Sequence, residues 1–267
     1  MKHITSRDNP SFKELLRLAE SSRERRKRGL TLLDGVHLIE AYHRRFGLPQ
    51  ALFVSESKAL DAEIRALVAA LRPLVPTLLT DSLFKEVTLV ASPTGVIAVV
   101  ATPSVLKPPA QLDFCLLLEG IQDPGNLGSI LRSAAAAGIE HVFLSPDCVF
   151  AWSPRVVRAG MGAHFALTIH EHADLLELVR HFQGKVVATV LEGGVSLFET
   201  DLTGPVALLI GNEGGGLSQA LLTAATQRAT IPMPGAMESL NAAAAAAVCL
   251  FERVRQVGII TKRPATR

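Results

Sequence analysis

Apolar residues along this chain fall into two rhythms. Within residues 11–20, Phe12, Leu15, Leu16 and Leu18 recur near helical spacing. Short apolar runs at 31–33, 51–54 and 95–100 predict buried strands, with helices over 37–45 and 60–71 between them. Residues 1–100 therefore predict a small α/β domain. Prolines 103, 108 and 109 then discourage both helix and inner strand, so 101–111 reads as a linker. Residues 112–267 alternate more clearly. Strands are expected at 114–118, 141–144, 185–190 and 206–210, and helices at about 127–137, 175–181, 218–225 and 240–256. Such alternation predicts a mostly parallel sheet covered by helices, and an α/β fold class throughout.

Composition narrows the class. A chain of 267 residues, 48% hydrophobic, can bury a sizeable core. No apolar run reaches membrane-spanning length, and residues 1–8 lack the apolar centre of a signal peptide. Cys115, Cys148 and Cys249 are far apart and odd in number, which predicts buried thiols and a cytoplasmic, reducing setting. The histidines show no metal-ligand spacing, and His170-Glu171-His172 reads as an exposed connector. Net charge is only +2, so its distribution matters more. Arg23, Arg25, Arg26, Lys27 and Arg28 crowd together. They read either as a solvated helix end or as a phosphate-contacting patch. With one Trp and one Tyr, no base-stacking platform is visible.

Three segments carry the chemistry. Residues 122–132 combine Gly125 and Gly128 with Asn126, a good helix N-cap, and Arg132, which stands in an otherwise small and apolar helix. Residues 210–218 place Gly211 after an apolar strand, then Glu213, then three glycines with free amides. The loop lacks the lysine of a phosphate-binding loop, and a carboxylate repels anions. Residues 231–241 carry Pro232 and Pro234, which stiffen the backbone beside a flat ligand, then Ser239 as N-cap and Asn241 one turn inside the helix. Capping and salt bridging alone can account for several of these residues. Together, however, the three turns lie where α/β folds gather ligands, at the carboxyl ends of strands.

Taken in order, Asn126-x-Gly128-x-x-x-Arg132, Gly211-x-Glu213-x-x-Gly216-Leu217-Ser218 and Ile231-Pro232-Met233 through Ser239-Leu240-Asn241 resemble the three motifs of the SpoU/TrmH family of the SPOUT superfamily. These are S-adenosylmethionine-dependent RNA ribose 2′-O-methyltransferases. The first domain is similar to the family's L30e-like RNA-binding extension. The resemblance implies a trefoil-knotted SPOUT domain, a homodimer, and cofactor contacts from Leu191, Gly211, Ile231, Met233 and Leu240. It also implies catalytic roles for Asn126, Arg132, Glu213, Ser239 and Asn241, and the family's usual proposal makes the arginine of the first motif the base. Because a guanidinium gives up its proton so reluctantly, Arg132 is read instead as the positioner of the adjacent phosphate and stabiliser of the developing alkoxide, with Asn126, Ser239 and Asn241 orienting groups, Glu213 holding Arg132 or Asn126, and no metal required. Large-subunit (23S) ribosomal RNA is the expected substrate. A tRNA methyltransferase and a non-catalytic RNA-binding protein are the alternatives. The family often has serine two places after the last asparagine, where this chain has Ala243.

Overall fold

A computed structural model describes residues 2–88, 93–103, 107–109 and 111–258. In chain order the elements are β1 (Lys2–Ile4), α1 (Pro10–Glu20), α2 (Ser22–Arg28), β2 (Leu30–Asp34), α3 (Val36–Phe46), β3 (Ala51–Ser55), α4 (Ala62–Ala70), β4 (Thr77–Leu79), α5 (Asp81–Val87) and β5 (Val96–Ala101). There follow β6 (Phe114–Leu118), α6 (Pro124–Ala136), β7 (His141–Leu144), α7 (Pro154–Ala159), β8 (Thr168–His170), α8 (Leu175–His181), β9 (Lys185–Thr189), β10 (Val195–Ser196), β11 (Val206–Ile210), α9 (Gln219–Ala224), β12 (Gln227–Thr230) and α10 (Ala242–Val257). Parts of the expected linker, residues 104–106 and 110, lie outside the described residues, as does the chain after 258.

The chain forms two compact units, Met1–Val105 with Phe150–Phe165, and Leu106–Val149 with Ala166–Arg267. The first unit holds a mixed five-stranded sheet, ordered β1-β4-β3-β5-β2, with β5 antiparallel to both β2 and β3. Phe12, Leu15 and Leu18 of α1 bury against Leu32, Phe53 and Ile97 of that sheet. This is the helical stripe of the sequence meeting the alternating positions of three strands. Residues 150–165 join this unit although local patterning gives no hint of it. Thr31 donates its hydroxyl to the Trp152 carbonyl, and Phe165 packs edge-on against Tyr42 and Phe46.

Helix α2 corrects part of the basic-patch expectation. Ser21 caps it and Gly29 ends it in the left-handed conformation. Arg25 is buried, and its guanidinium donates to the Leu18 and Ala19 carbonyls at 2.5 and 2.9 Å. Those are unpaired carbonyls of the last turn of α1, so Arg25 closes a helix end and is not available to RNA. Arg28 is engaged by Glu14 and Glu24, while Arg26 lies over the Phe150 ring. Arg23 and Lys27 are exposed and have no such partners among the described residues.

The second unit holds seven parallel strands ordered β10-β12-β9-β11-β6-β7-β8. Its central strand β11 is buried at every position, which is why its sequence is one apolar run. The short strands β8, β10 and β12 carry polar residues and escape that signal. His170 is not in an exposed connector: it ends β8, is 7% exposed, and stacks on Phe143 with its Nε2 3.1 Å from His141 Nδ1. All three cysteines are buried and free, and burial pushes the Cys115 and Cys249 thiols up to about 12. No described helix is long and apolar enough to cross a membrane.

Burial holds His164 neutral, with its pKa lowered to about 4, although its Nε2 lies 2.8 Å from the Ala151 carbonyl. His170 is depressed to about 4 mainly by burial, with the His141 charge adding to it. A depressed folded pKa means the unfolded chain binds the proton first, so stability is full above about pH 6.5 and declines toward pH 4. For His164 alone the loss at pH 5 is about 2 kcal/mol relative to pH 7. Urea unfolding at the two pH values, with NMR titration of the imidazole, checks this. A His164 that titrates near its ordinary value contradicts it.

Candidate active site

Three loops leave the carboxyl ends of β9, β11 and β12 and wall a cavity of about 620 Å³. That volume is in the range of small-molecule sites. The wall includes Leu191 and Glu192 after β9, residues 211–217 after β11, and Ile231, Met233, Ser239, Leu240 and Asn241 after β12. All five residues expected to touch the cofactor therefore lie on one surface, with Glu213, Ser239 and Asn241 among them.

The loop after β11 owes its shape to Gly211 and Asn212. A Cβ on Gly211 would sit 2.2 Å from the Gly216 carbonyl carbon and 2.4 Å from the Leu217 nitrogen, so no other residue fits without moving backbone. Asn212 and Gly216 exchange backbone hydrogen bonds of 3.0 and 2.9 Å. The Asn212 side chain accepts from the Gly214 and Gly215 amides at 2.8 and 3.1 Å and donates to the Gly120 carbonyl at 2.6 Å. The glycine amides that looked free in the sequence are thus internally spent. A phosphate cradle is excluded by this, in addition to the nearby carboxylate.

Two helix caps differ from expectation, and the difference frees the site residues. Asp123, not Asn126, caps α6: its carboxylate accepts from the Asn126 amide at 2.7 Å, with Pro124 filling the first helical position. Asn241, not Ser239, caps α10, its Oδ1 accepting from Ala243 and Ala244 at 2.9 and 3.4 Å. The Asn126 side chain is thereby left to bridge. Its Nδ2 donates to Glu213 Oε1 at 2.8 Å, and its Oδ1 accepts from Asn241 Nδ2 at 2.8 Å. The amide directions are fixed, because backbone N–H groups only donate and an ionised carboxylate only accepts.

Packing of α10 on α6 holds this chain in register. The buried faces are small, with Gly128, Ile130, Leu131 and Ala134 on α6 and Ala242, Ala246, Cys249 and Leu250 on α10. The alanine run thus serves close helix approach as well as propensity. Farther along α10, buried Arg253 donates to Asp113 at 3.1 Å and to the Gly204 carbonyl at 2.9 Å, with its guanidinium over Phe114. Nothing in its local sequence marks that role.

Arg132 is exposed on α6, is not part of the cavity wall, and has no hydrogen-bond or ion-pair partner among the described residues. Glu213 holds Asn126 rather than Arg132. Ser239 is exposed on the wall and its side chain has no hydrogen bond among the described residues. Ala243 lies outside the wall, so the absent serine hydroxyl removes nothing from the cavity surface. No group of three or more metal-ligating side chains occurs among the described residues. Sequence reasoning missed Asn212, Arg228 and Glu192. Asn212 was recoverable in principle, since an asparagine before three glycines marks a side-chain-closed turn.

A parallel sheet with a cavity at its strand ends, bordered by an amide–carboxylate chain, has the arrangement of a small-molecule-dependent enzyme of the α/β class. The family model described as the SpoU rRNA Methylase family matches residues 113–251. The chain is 34% identical over 262 residues to an uncharacterised tRNA/rRNA methyltransferase of Synechocystis, covering 95% of this chain and 93% of that one. It is 30% identical to the 23S rRNA (guanosine(2553)-2′-O)-methyltransferase RlmP of Bacillus subtilis, covering 94% and 98%. Among solved structures it is similar to the SpoU methyltransferase AviRb from Streptomyces viridochromogenes in complex with AdoMet. That match has 30% identity and a TM-score of 0.80, and covers 94% of this chain and 99% of the other. The chain belongs to the SpoU rRNA methylase family.

The glycine geometry gives a direct test. Gly211→Ala forces the 211–217 loop to shift and costs about 1–3 kcal/mol, the usual cost of overpacking. Gly215→Ala meets nothing within 4 Å and has no strained φ, so its thermal unfolding matches the parent. Equal melting of the two variants contradicts the close approach.

Proposed function

We propose that this chain transfers the methyl group of S-adenosylmethionine to a ribose 2′-hydroxyl of large-subunit ribosomal RNA. The observation that carries the proposal is the coincidence of the five expected cofactor residues on one cavity wall with the Glu213–Asn126–Asn241 chain. The names of the Bacillus subtilis relative and of the AdoMet-bound neighbour support it. The wall suits the molecule chemically. Leu191, Ile231, Met233 and Leu240 offer apolar faces suited to adenine. When bound, S-adenosylmethionine supplies an electrophilic methyl group.

The chain's own residues supply position and charge. Arg132, exposed and without a hydrogen-bond or ion-pair partner among the described residues, binds a phosphate beside the target ribose and stabilises negative charge on its oxygen. Asn126 and Asn241 hold Glu213. Ser239 is left to orient substrate. The first unit provides a basic landing surface through Arg23, Arg26 and Lys27, and these contacts add affinity without reading bases. The reading includes the knotted path and homodimer of the family and a cytoplasmic setting.

The primary test is methyl incorporation from labelled S-adenosylmethionine into ribosomal RNA, with the modified nucleotide mapped. Cofactor binding without incorporation into any RNA overturns the enzyme reading. Arg132→Ala lowers turnover by about 10²-fold or more, the scale of one lost electrostatic donor, while calorimetric cofactor affinity holds. Arg132→Lys restores it only partly, because lysine lacks the planar fork. A parallel loss of cofactor binding contradicts that role. Replacing Arg23, Arg26 and Lys27 with serine weakens RNA binding and flattens its salt dependence by up to about three counterions. An unchanged slope makes α2 a solvated face only.

A further inference from the structure

The ribose hydroxyl must lose its proton when the methyl group arrives. Among the described residues the cavity wall carries two carboxylates, Glu192 and Glu213, and one cation, Arg228, which donates to the Leu222 carbonyl. Only Glu213 belongs to a directed chain of hydrogen bonds. The first backbone amides of α10 donate to Asn241, Asn241 donates to Asn126, and Asn126 donates to one oxygen of Glu213. None of these links can reverse, so the chain keeps Glu213 oriented as an acceptor. No cation is paired with it, and its second oxygen has no partner among the described residues. A guanidinium, by contrast, has no acceptor site and does not deprotonate in proteins.

Building on the methyltransferase reading, we propose that Glu213 is the proton acceptor of the reaction and that Arg132 stays cationic throughout. The 2′-oxygen uses a lone pair to form the new O–CH₃ bond. The methyl–sulfur bond breaks with its electron pair going to sulfur, leaving a neutral thioether. The O–H electron pair stays on oxygen, and the proton passes to the free oxygen of Glu213 and then to water. An oxygen that has accepted the methyl group is strongly acidic, so a carboxylate suffices as base when proton transfer is late.

Among the described residues the titratable groups next to this site are Glu192 and Arg228 on the wall, Glu119, which accepts from the Ser218 amide at 2.6 Å, and Asp123 at the α6 cap, with Glu238 preceding Ser239 in the chain. The experiment is single-turnover methylation of unmodified, in-vitro-transcribed 23S rRNA by the full chain, with cofactor affinity measured by calorimetry. Glu213→Gln keeps an acceptor for Asn126, so cofactor affinity stays within about twofold while the rate falls about 100-fold or more, the contribution of a positioned base. The parent rate is level from neutral to alkaline pH. A Gln variant within threefold of the parent overturns the proposal. So does a parent rate rising about tenfold per pH unit into the alkaline range, the mark of an arginine that must first lose its proton, and that measurement needs no variant to fold. A parent that binds cofactor but methylates no RNA overturns the enzyme reading itself, which separates the two failures.

Discussion

The hydrogen-bond chain from the start of α10 through Asn241 and Asn126 to Glu213 is the constraint on which the site depends. It joins three segments that are 87 and 115 residues apart along the sequence. Each side chain has one way to satisfy its neighbours, so the chain sets amide orientation as well as distance. It requires both helix caps to fall where they do. If Asn126 capped α6, it could not bridge. The small faces of α6 and α10 let the helices approach closely enough for the bridge to close, and Arg253 pins the far end of α10.

The cavity depends on a second, steric constraint. Gly211 lets the β11 loop fold back until backbone meets backbone, and Asn212 consumes the amides that such a fold exposes. A glycine-rich loop after a strand suggests an anion site. Here the same composition produces a closed turn whose outer surface walls a cavity. The deciding residue is an asparagine, and the deciding fact is where its oxygen points.

How much of this was legible in the sequence follows from burial. Strands β6 and β11 are apolar throughout, as strands of a covered parallel sheet are, and β7 is apolar after His141, so all three read plainly. Strands β8, β10 and β12, toward the sheet's ends, are short and carry His170, Ser196 and Gln227 or Arg228, so periodicity misses them. The motif residues could be named, but their division of labour could not. Asp123 and Asn126 are both good caps, as are Ser239 and Asn241, and only Pro124 in the first helical position favours Asp123 locally. The packing of residues 150–165 with the first unit rests on contacts remote in sequence, and the burial of Arg25 on the way α2 folds back on the end of α1, neither of which hydrophobic periodicity encodes.

The account's central claim is that the loops after β9, β11 and β12 form the cofactor site. A crystal structure of the full chain grown with S-adenosylhomocysteine tests it most directly. The account predicts the ligand against Leu191, Gly211, Ile231, Met233 and Leu240, with the Asn126–Glu213 hydrogen bond retained. A ligand bound elsewhere on the chain, or none at saturating concentration, contradicts it.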